Sequence, residues 1–153
     1  MARWYRLSMM AWVLLAVWGV GQSQPLAEVK PGHIRYSKAD NGVITDRITG
    51  LEWYVGPNHD NNWHEAKAWT ENLTVAGGGW RMPTVAELKA LYQKGASPQN
   101  MDPLFQNPGV WVWSGELNNA VSAWGFAFYN GQEGWHGIDY AYGRQAMAVR
   151  SRR

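Results

Sequence analysis

The chain contains no cysteine. That absence excludes disulfide bridges, a thiol nucleophile, cysteine metal sites and lipid attachment at an N-terminal Cys. Charge is also sparse, with 14 basic and 12 acidic residues making up 17% of the chain. Broad phosphate binding needs a clustered excess of Lys and Arg, so nucleic acid is not an expected partner. Neither a repeating Gly-X-Y triplet nor any other internal repeat occurs, which excludes a collagen-like or solenoid chain. The apolar run Leu7–Val20 is 14 residues long, short of the roughly 20 that a membrane span needs.

Aromatic and flexible residues are abundant: 11 Trp, 7 Tyr and 17 Gly among 153 residues. With 46% hydrophobic content, this length suits one domain with its own core. Arg3 and Arg6 precede the apolar run, and the small residues Gly21 and Ser23 follow it. This pattern predicts a secretory signal over residues 1–23, with an uncleaved N-terminal anchor as the alternative. The protein is then expected to be secreted or periplasmic, meeting a membrane only through an uncleaved signal. Removing Arg3 and Arg6 leaves twelve basic and twelve acidic residues. The high pI of the full chain is therefore no sign of a nucleic-acid binder. Residues 24–40 read as a leader, 41–150 as the domain and 151–153 as a tail.

Asp40-Asn41-Gly42 and Thr49-Gly50 are turn signals flanking the β-branched Val43-Ile44-Thr45, and Leu51–Tyr54 completes a hairpin. Asn62 with Glu65, and Thr84 with Glu87, are capping boxes that predict helices over 63–73 and from 85 towards Gly95. Residues 96–109 read as a proline-rich loop pinned by Leu104 and Phe105. Beyond it the period changes to two, predicting strands at Val110–Ser114, Ala123–Tyr129 and Ala146–Arg150. Helices grouped before a run of antiparallel strands imply an α+β domain.

The segment Val43–Trp53 resembles the opening "TDxxTGLxW" of the Lcl C-terminal domain family, named after the Legionella collagen-like protein. Trp63-His64-Glu65-Ala66, Glu71-Asn72-Leu73, Trp80-Arg81-Met82-Pro83-Thr84 with Glu87-Leu88, Trp113-Ser114 and Val149-Arg150 follow in the family's order. The resemblance spans about residues 41–150. It implies a C-type-lectin-like fold, two helices packed on mainly antiparallel strands, distantly similar to the formylglycine-generating enzymes. It also implies an exported bacterial binding or adhesion module; the namesake's domain is associated with sulfated glycans and host surfaces. Family members often carry a Cys in the first helix and another before the closing "VR", where this chain has Thr70 and Ala148. Losing both together is what a lost bridge looks like, and packing must replace its 2–4 kcal/mol. Gly115 stands where Ser or Thr is common.

Most motif residues read as structural. Asp46 and Thr49 suit a tight turn that needs positive φ at Gly50. Arg81 suits a buried pairing with Glu87 or Asp46, or a ligand clamp, while Trp53, Trp80 and Trp113 suit the core. Ser114 lacks the glycine-flanked elbow of a hydrolase nucleophile. His64-Glu65 starts like a zinc-protease helix, but Ala68 stands where the second His would be. His59, Asp60 and His64 form a conceivable ligand set beside the helix start. No cofactor is expected. Calcium is the one option, through the oxygens of Asn58–Asn62 and Asp139. No catalytic residue is assigned. The candidate ligand-binding residues are Asn118, Asn119, Asn130, Glu133, Trp135, His136, Asp139, Tyr140, Tyr142 and Arg144, on glycine-bearing loops within 115–145. Rings and amides in such loops suit sugar or protein surfaces. The expected partner is a glycan or an envelope protein, and an oligomer is possible. The alternatives are a protein-binding subunit of an envelope assembly and a divergent formylglycine-generating relative.

Overall fold

The computed structural model describes residues 35–96, 99–106 and 111–152. The predicted signal, most of the leader and Val110 lie outside them. Among the described residues, two four-stranded sheets are packed with two α-helices. Strands β1 (Tyr36–Lys38), β2 (Ile44–Asp46) and β3 (Leu51–Val55) precede α1 (Trp63–Glu71) and α2 (Val85–Leu91). Then come β4 (Trp111–Asn119), β5 (Ser122–Ala127), β6 (Gln132–Gly137), β7 (Arg144–Gln145) and β8 (Met147–Ser151). The first sheet runs β1-β2-β3-β8 and is antiparallel throughout. The second runs β6-β5-β4-β7, and only its β4–β7 pair is parallel. One continuous segment, Arg144–Ser151, therefore leaves the edge of the second sheet and closes the edge of the first. The chain is α+β, as the grouping of its elements implied.

Local chemistry explains the helix starts. Asn62 Oδ1 accepts from Glu65 N at 2.9 Å while Glu65 Oε2 accepts from Asn62 N at 2.9 Å. The same reciprocal box joins Thr84 and Glu87; each such cap contributes about 1 kcal/mol. Both helices are shorter than expected. Asn72 ends α1, turning its side chain back to Ala68 O, and Tyr92 leaves helical geometry to end α2.

The main core lies between the sheets and under α2. Tyr36, Trp53, Leu88, Leu91, Phe105, Val112, Phe126 and Phe128 meet there. Phe105 is pinned in a 3-10 turn, as the loop reading expected. A second cluster fills the opposite side of the second sheet, where Trp63 and Ala66 of α1 pack on Trp113, Ala123 and Ala146. Trp53, Trp80 and Trp113 are all buried.

The motif turn behaves as its residues dictate. Asp46 Oδ1 accepts from Ile48 N at 2.9 Å, Thr49 Oγ1 accepts from Leu51 N at 3.3 Å, and Gly50 holds φ +71°. Asp46 pairs with Arg35 at 2.7 Å rather than with Arg81. Arg81 forks onto both oxygens of Glu87 at 2.8 and 2.6 Å, but its side chain is half exposed, so the pairing is not a buried one. Ser114 Oγ donates to Trp124 O at 2.9 Å, the strand hydrogen bond expected of it.

Candidate ligand-binding face

The stretch 115–145, read as loops around the expected strand Ala123–Tyr129, is mostly sheet, and the expected strand forms as β5. Residues 115–137 complete β4 and form β5 and β6, so the alternation of a strand decides which side chains can meet. Sequence reading missed β6 because Gly134 and Gly137 look like turn residues. Packing explains one of them. Trp111 lies across β5 and β6 with its indole against Gly125 and Gly134. An added Cβ would stand 2.3 Å from Trp111 Nε1 at the first and 3.1 Å from Trp111 Cη2 at the second.

On this face His136 meets Trp111 edge-on, with ring centroids 4.7 Å apart, and stacks with Tyr140 at 6.3 Å. The Arg144 guanidinium sits 4.4 Å from the Tyr140 ring centre, 5.5 Å from Trp111 and 6.0 Å from Trp113. Three hydrogen bonds to backbone oxygens and one between side chains fix the cluster. Arg144 Nη1 donates to Tyr142 O at 2.7 Å, and Asn61 N donates to Arg144 O at 3.0 Å. Trp113 Nε1 donates to Asn61 O at 3.0 Å, and Gln145 Nε2 donates to Asn58 Oδ1 at 2.9 Å. Loop 56–62 is thereby held against the segment that carries Tyr140, Tyr142 and Arg144.

Electrostatics single out Arg144. Among the described residues, Arg35, Arg81 and Arg150 each pair with a carboxylate, while Arg47 and Arg152 are exposed. Arg144 is partly buried and forms no ion pair, and its Nε is buried without a partner. Burial lowers its pKa, opposed by the nearby Tyr140 hydroxyl and Asp60 carboxylate. Burial and repulsion from Arg144 hold the His136 imidazole below its ordinary pKa.

The structure thus brings together His136, Tyr140 and Arg144, with the Tyr142 carbonyl. Tyr142 itself is 76% exposed at the rim, and Asp139 is exposed on the same loop. Glu133 and Trp135 lie on the opposite face, because in the β5–β6 register they stand against Phe126 and Trp124. There a groove of about 480 Å³ is lined by Val85, Glu116, Leu117, Trp124 and Glu133. The three Asn residues serve their own turns. Asn118 Nδ2 donates to Ser122 Oγ, Asn119 Oδ1 accepts from Val121 N, and Asn130 bonds Gln132. Trp111, Trp113 and Asn61 belong to the Arg144 face but were not ligand-binding candidates, Asn61 being named only among the calcium oxygens. Paired glycines in neighbouring strands were the signal that a flat ring covers them.

Among the described residues no three His, Cys, Asp or Glu side chains come together to hold a metal ion. None of the described helices is long and apolar enough to cross a membrane.

Two packed sheets, a rigid Asp46–Gly50 turn and a capped helix behind Trp80–Thr84 define an α+β domain built around its motif residues. The family model of the Lcl C-terminal domain matches residues 42–150, and the chain belongs to that family. No curated protein matches the chain.

Proposed function

We propose that this chain is an exported, non-catalytic binding module that recognises an anionic group on a glycan, with Arg144 as its charge anchor. We read the architecture as C-type-lectin-like and the working location as secreted or periplasmic. The observation that carries the reading is Arg144: a partly buried guanidinium, framed by three rings, with no carboxylate paired to it. A desolvated cation is costly without a counter-charge, and a sulfate or carboxylate oxygen pair matches the guanidinium fork. Tyr140 and His136 offer ring faces beside it for the apolar side of a sugar. Ser114 Oγ is engaged within its sheet, donating to Trp124 O, and the reading invokes no covalent chemistry.

Titration calorimetry with a heparin-derived oligosaccharide and its desulfated counterpart tests this. The sulfated probe is expected to bind, with at least tenfold loss on Arg144→Gln and a smaller loss on Tyr140→Ala. Trp135→Ala, on the other face, should bind as the parent does. Equal binding of both probes, or loss through Trp135 instead of Arg144, would refute the reading. A second reading, a protein-binding subunit of an envelope assembly, is favoured by one observation. Leu117 and Trp135 are exposed beside a groove that the Arg144 face does not use.

A further inference from the structure

That groove has a counterpart elsewhere on the chain. Six of the seven exposed large hydrophobic side chains of the described residues fall within 117–142; the seventh is Ile48, 74% exposed. Ile48 stands on the Asp46–Gly50 turn, which Asp46 and Thr49 hold rigid. Its neighbour Arg47 is exposed. Arg152 N donates to Gly50 O at 3.1 Å, bringing a second exposed arginine to the same turn. The turn is an apolar knob flanked by two cations.

The groove has the opposite character. Leu117, Trp124 and Val85 form its apolar lining, and Glu116 and Glu133 supply two carboxylates. Glu116 uses one oxygen to accept from Val85 N at 2.8 Å, and Glu133 uses one towards Lys89 Nζ at 3.3 Å. The second oxygen of each remains for another donor.

Helix α2 separates knob from groove. Leu88 and Leu91 point into the core; Ala86, Glu87 and Ala90 border the hollow that Thr49 lines. Val85 and Lys89 border the groove on the other flank. A helix with its side chains is about 10 Å across, so a chain does not fill its own groove.

We propose that the groove receives the Arg47–Ile48 turn of a second copy of this chain. With the knob on one flank of α2 and the groove on the other, a two-fold axis running alongside α2 sets each turn over the partner's groove. Both contacts then form at once and the assembly closes at two. Ala86 and Ala90 are exposed between the two contacts and small enough to let the copies approach. Ile48 covers Trp124 and Leu117, while Arg47 and Arg152 face Glu116 and Glu133. The Arg144 faces stay open on the dimer's outside, so this dimer and the glycan reading stand or fall separately.

Sedimentation equilibrium of the purified chain tests the dimer. The expected result is a concentration-dependent dimer that Ile48→Asp weakens at least tenfold with an unchanged Tm, since Ile48 is on the surface. Arg47→Glu and Glu133→Arg should each weaken it, and the double charge swap should restore it. A monomer at millimolar concentration, a dimer indifferent to Ile48→Asp, or a swap that fails to restore association would each overturn the proposal. So would a monomer that binds an oligolysine peptide in a Glu133-dependent manner, which would assign the groove to a foreign basic segment.

Discussion

Gly125→Ala adds one methyl group where the second sheet has least room. The new Cβ would lie 2.3 Å from Trp111 Nε1 and 2.5 Å from Val112 O. The carbonyl belongs to the neighbouring strand β4 and cannot rotate away. Either the indole leaves its seat or β5 separates from β4. Overpacking costs about 1–3 kcal/mol, and partial exposure of a large ring adds about 1–2 kcal/mol. We expect a total near 3 kcal/mol, equivalent to a Tm loss of roughly 12 °C for a domain of this size. Two other glycines calibrate the result. At Gly134 the nearest atom, 3.1 Å away, is a ring edge that can shift, so Ala should cost below about 1 kcal/mol. At Gly143 a Cβ meets nothing within 4 Å, but φ is +68°, so Ala should cost about 1 kcal/mol through backbone strain alone. Thermal unfolding followed by near-UV circular dichroism reports both stability and the environment of Trp111. Trp111→Leu on the Gly125→Ala background should recover part of the loss, because the Val112 contact persists. A Gly125→Ala protein melting within 3 °C of the parent, or no worse than Gly134→Ala, would refute the seating of Trp111.

Three further outcomes follow from the same geometry. Arg150 is buried and its Nε and Nη2 donate to Glu52 Oε2 at 2.9 and 2.7 Å, so Glu52→Ala strands a guanidinium above Trp80. Urea unfolding should register a loss of about 3–5 kcal/mol, and an unchanged midpoint would count against the pair. Since the folded protein holds His136 below its unfolded pKa, its contribution is complete above the ordinary histidine range and is lost as pH falls through the depressed value. His136→Gln should flatten that part of the stability profile; an identical profile would mean that burial and Arg144 do not act on the ring. Thr70 and Ala148 are both buried, on elements α1 and β8 that touch. Thr70→Cys with Ala148→Cys should close a bridge under oxidation and add about 2–4 kcal/mol, whereas two titratable thiols would argue against a lost disulfide.

How far the sequence could be read depended on whether the deciding chemistry was local. The capping boxes at Asn62 and Thr84 and the Asp46–Gly50 turn involve residues within four positions of each other, and each formed as expected. Strand β6 was missed because the reason for Gly134 lies more than twenty residues away, in an indole on β4. The end of α2 was also set from a distance, by Tyr92 turning towards Phe126, whereas the end of α1 is a local signal that was overlooked, Asn72 folding back on Ala68 O. The site was legible only in part. His136, Tyr140 and Arg144 were named as candidates, but reading the stretch after Tyr129 as loop removed the parity that places Trp135 on the far side from His136. Knowing that 132–137 is a strand would have divided the candidate residues correctly from sequence alone.

A chain without sulfur bridges must hold its long connections by other means, and its arginines show how. Arg35–Asp46 ties the segment before β1 to the rigid turn after β2. Arg81–Glu87 ties the linker paired with β8 to the start of α2. Arg150–Glu52 joins β8 to β3, and Arg150 Nη1 also donates to the carbonyls of Ala76 and Gly78, pinning the glycine-rich bend. Burial pushes the Asp46 and Glu87 carboxyls up, but the guanidinium and amide donors outweigh it, so both remain below their ordinary pKa. These three pairs serve the first sheet and the connections packed on it. On the second sheet the Lys89–Glu133 contact is exposed at 3.3 Å and worth little. That sheet is held instead by rings over glycines and by the main core, which leaves Arg144 without an ion pair, Asp60 acting on it only from a distance. The division has a consequence for mutation. Changes to the paired arginines should be read out mainly in stability, whereas Arg144→Gln should be read out mainly in binding. A large stability loss from Arg144→Gln with unaltered oligosaccharide affinity would show that the rings need the cation more than any ligand does.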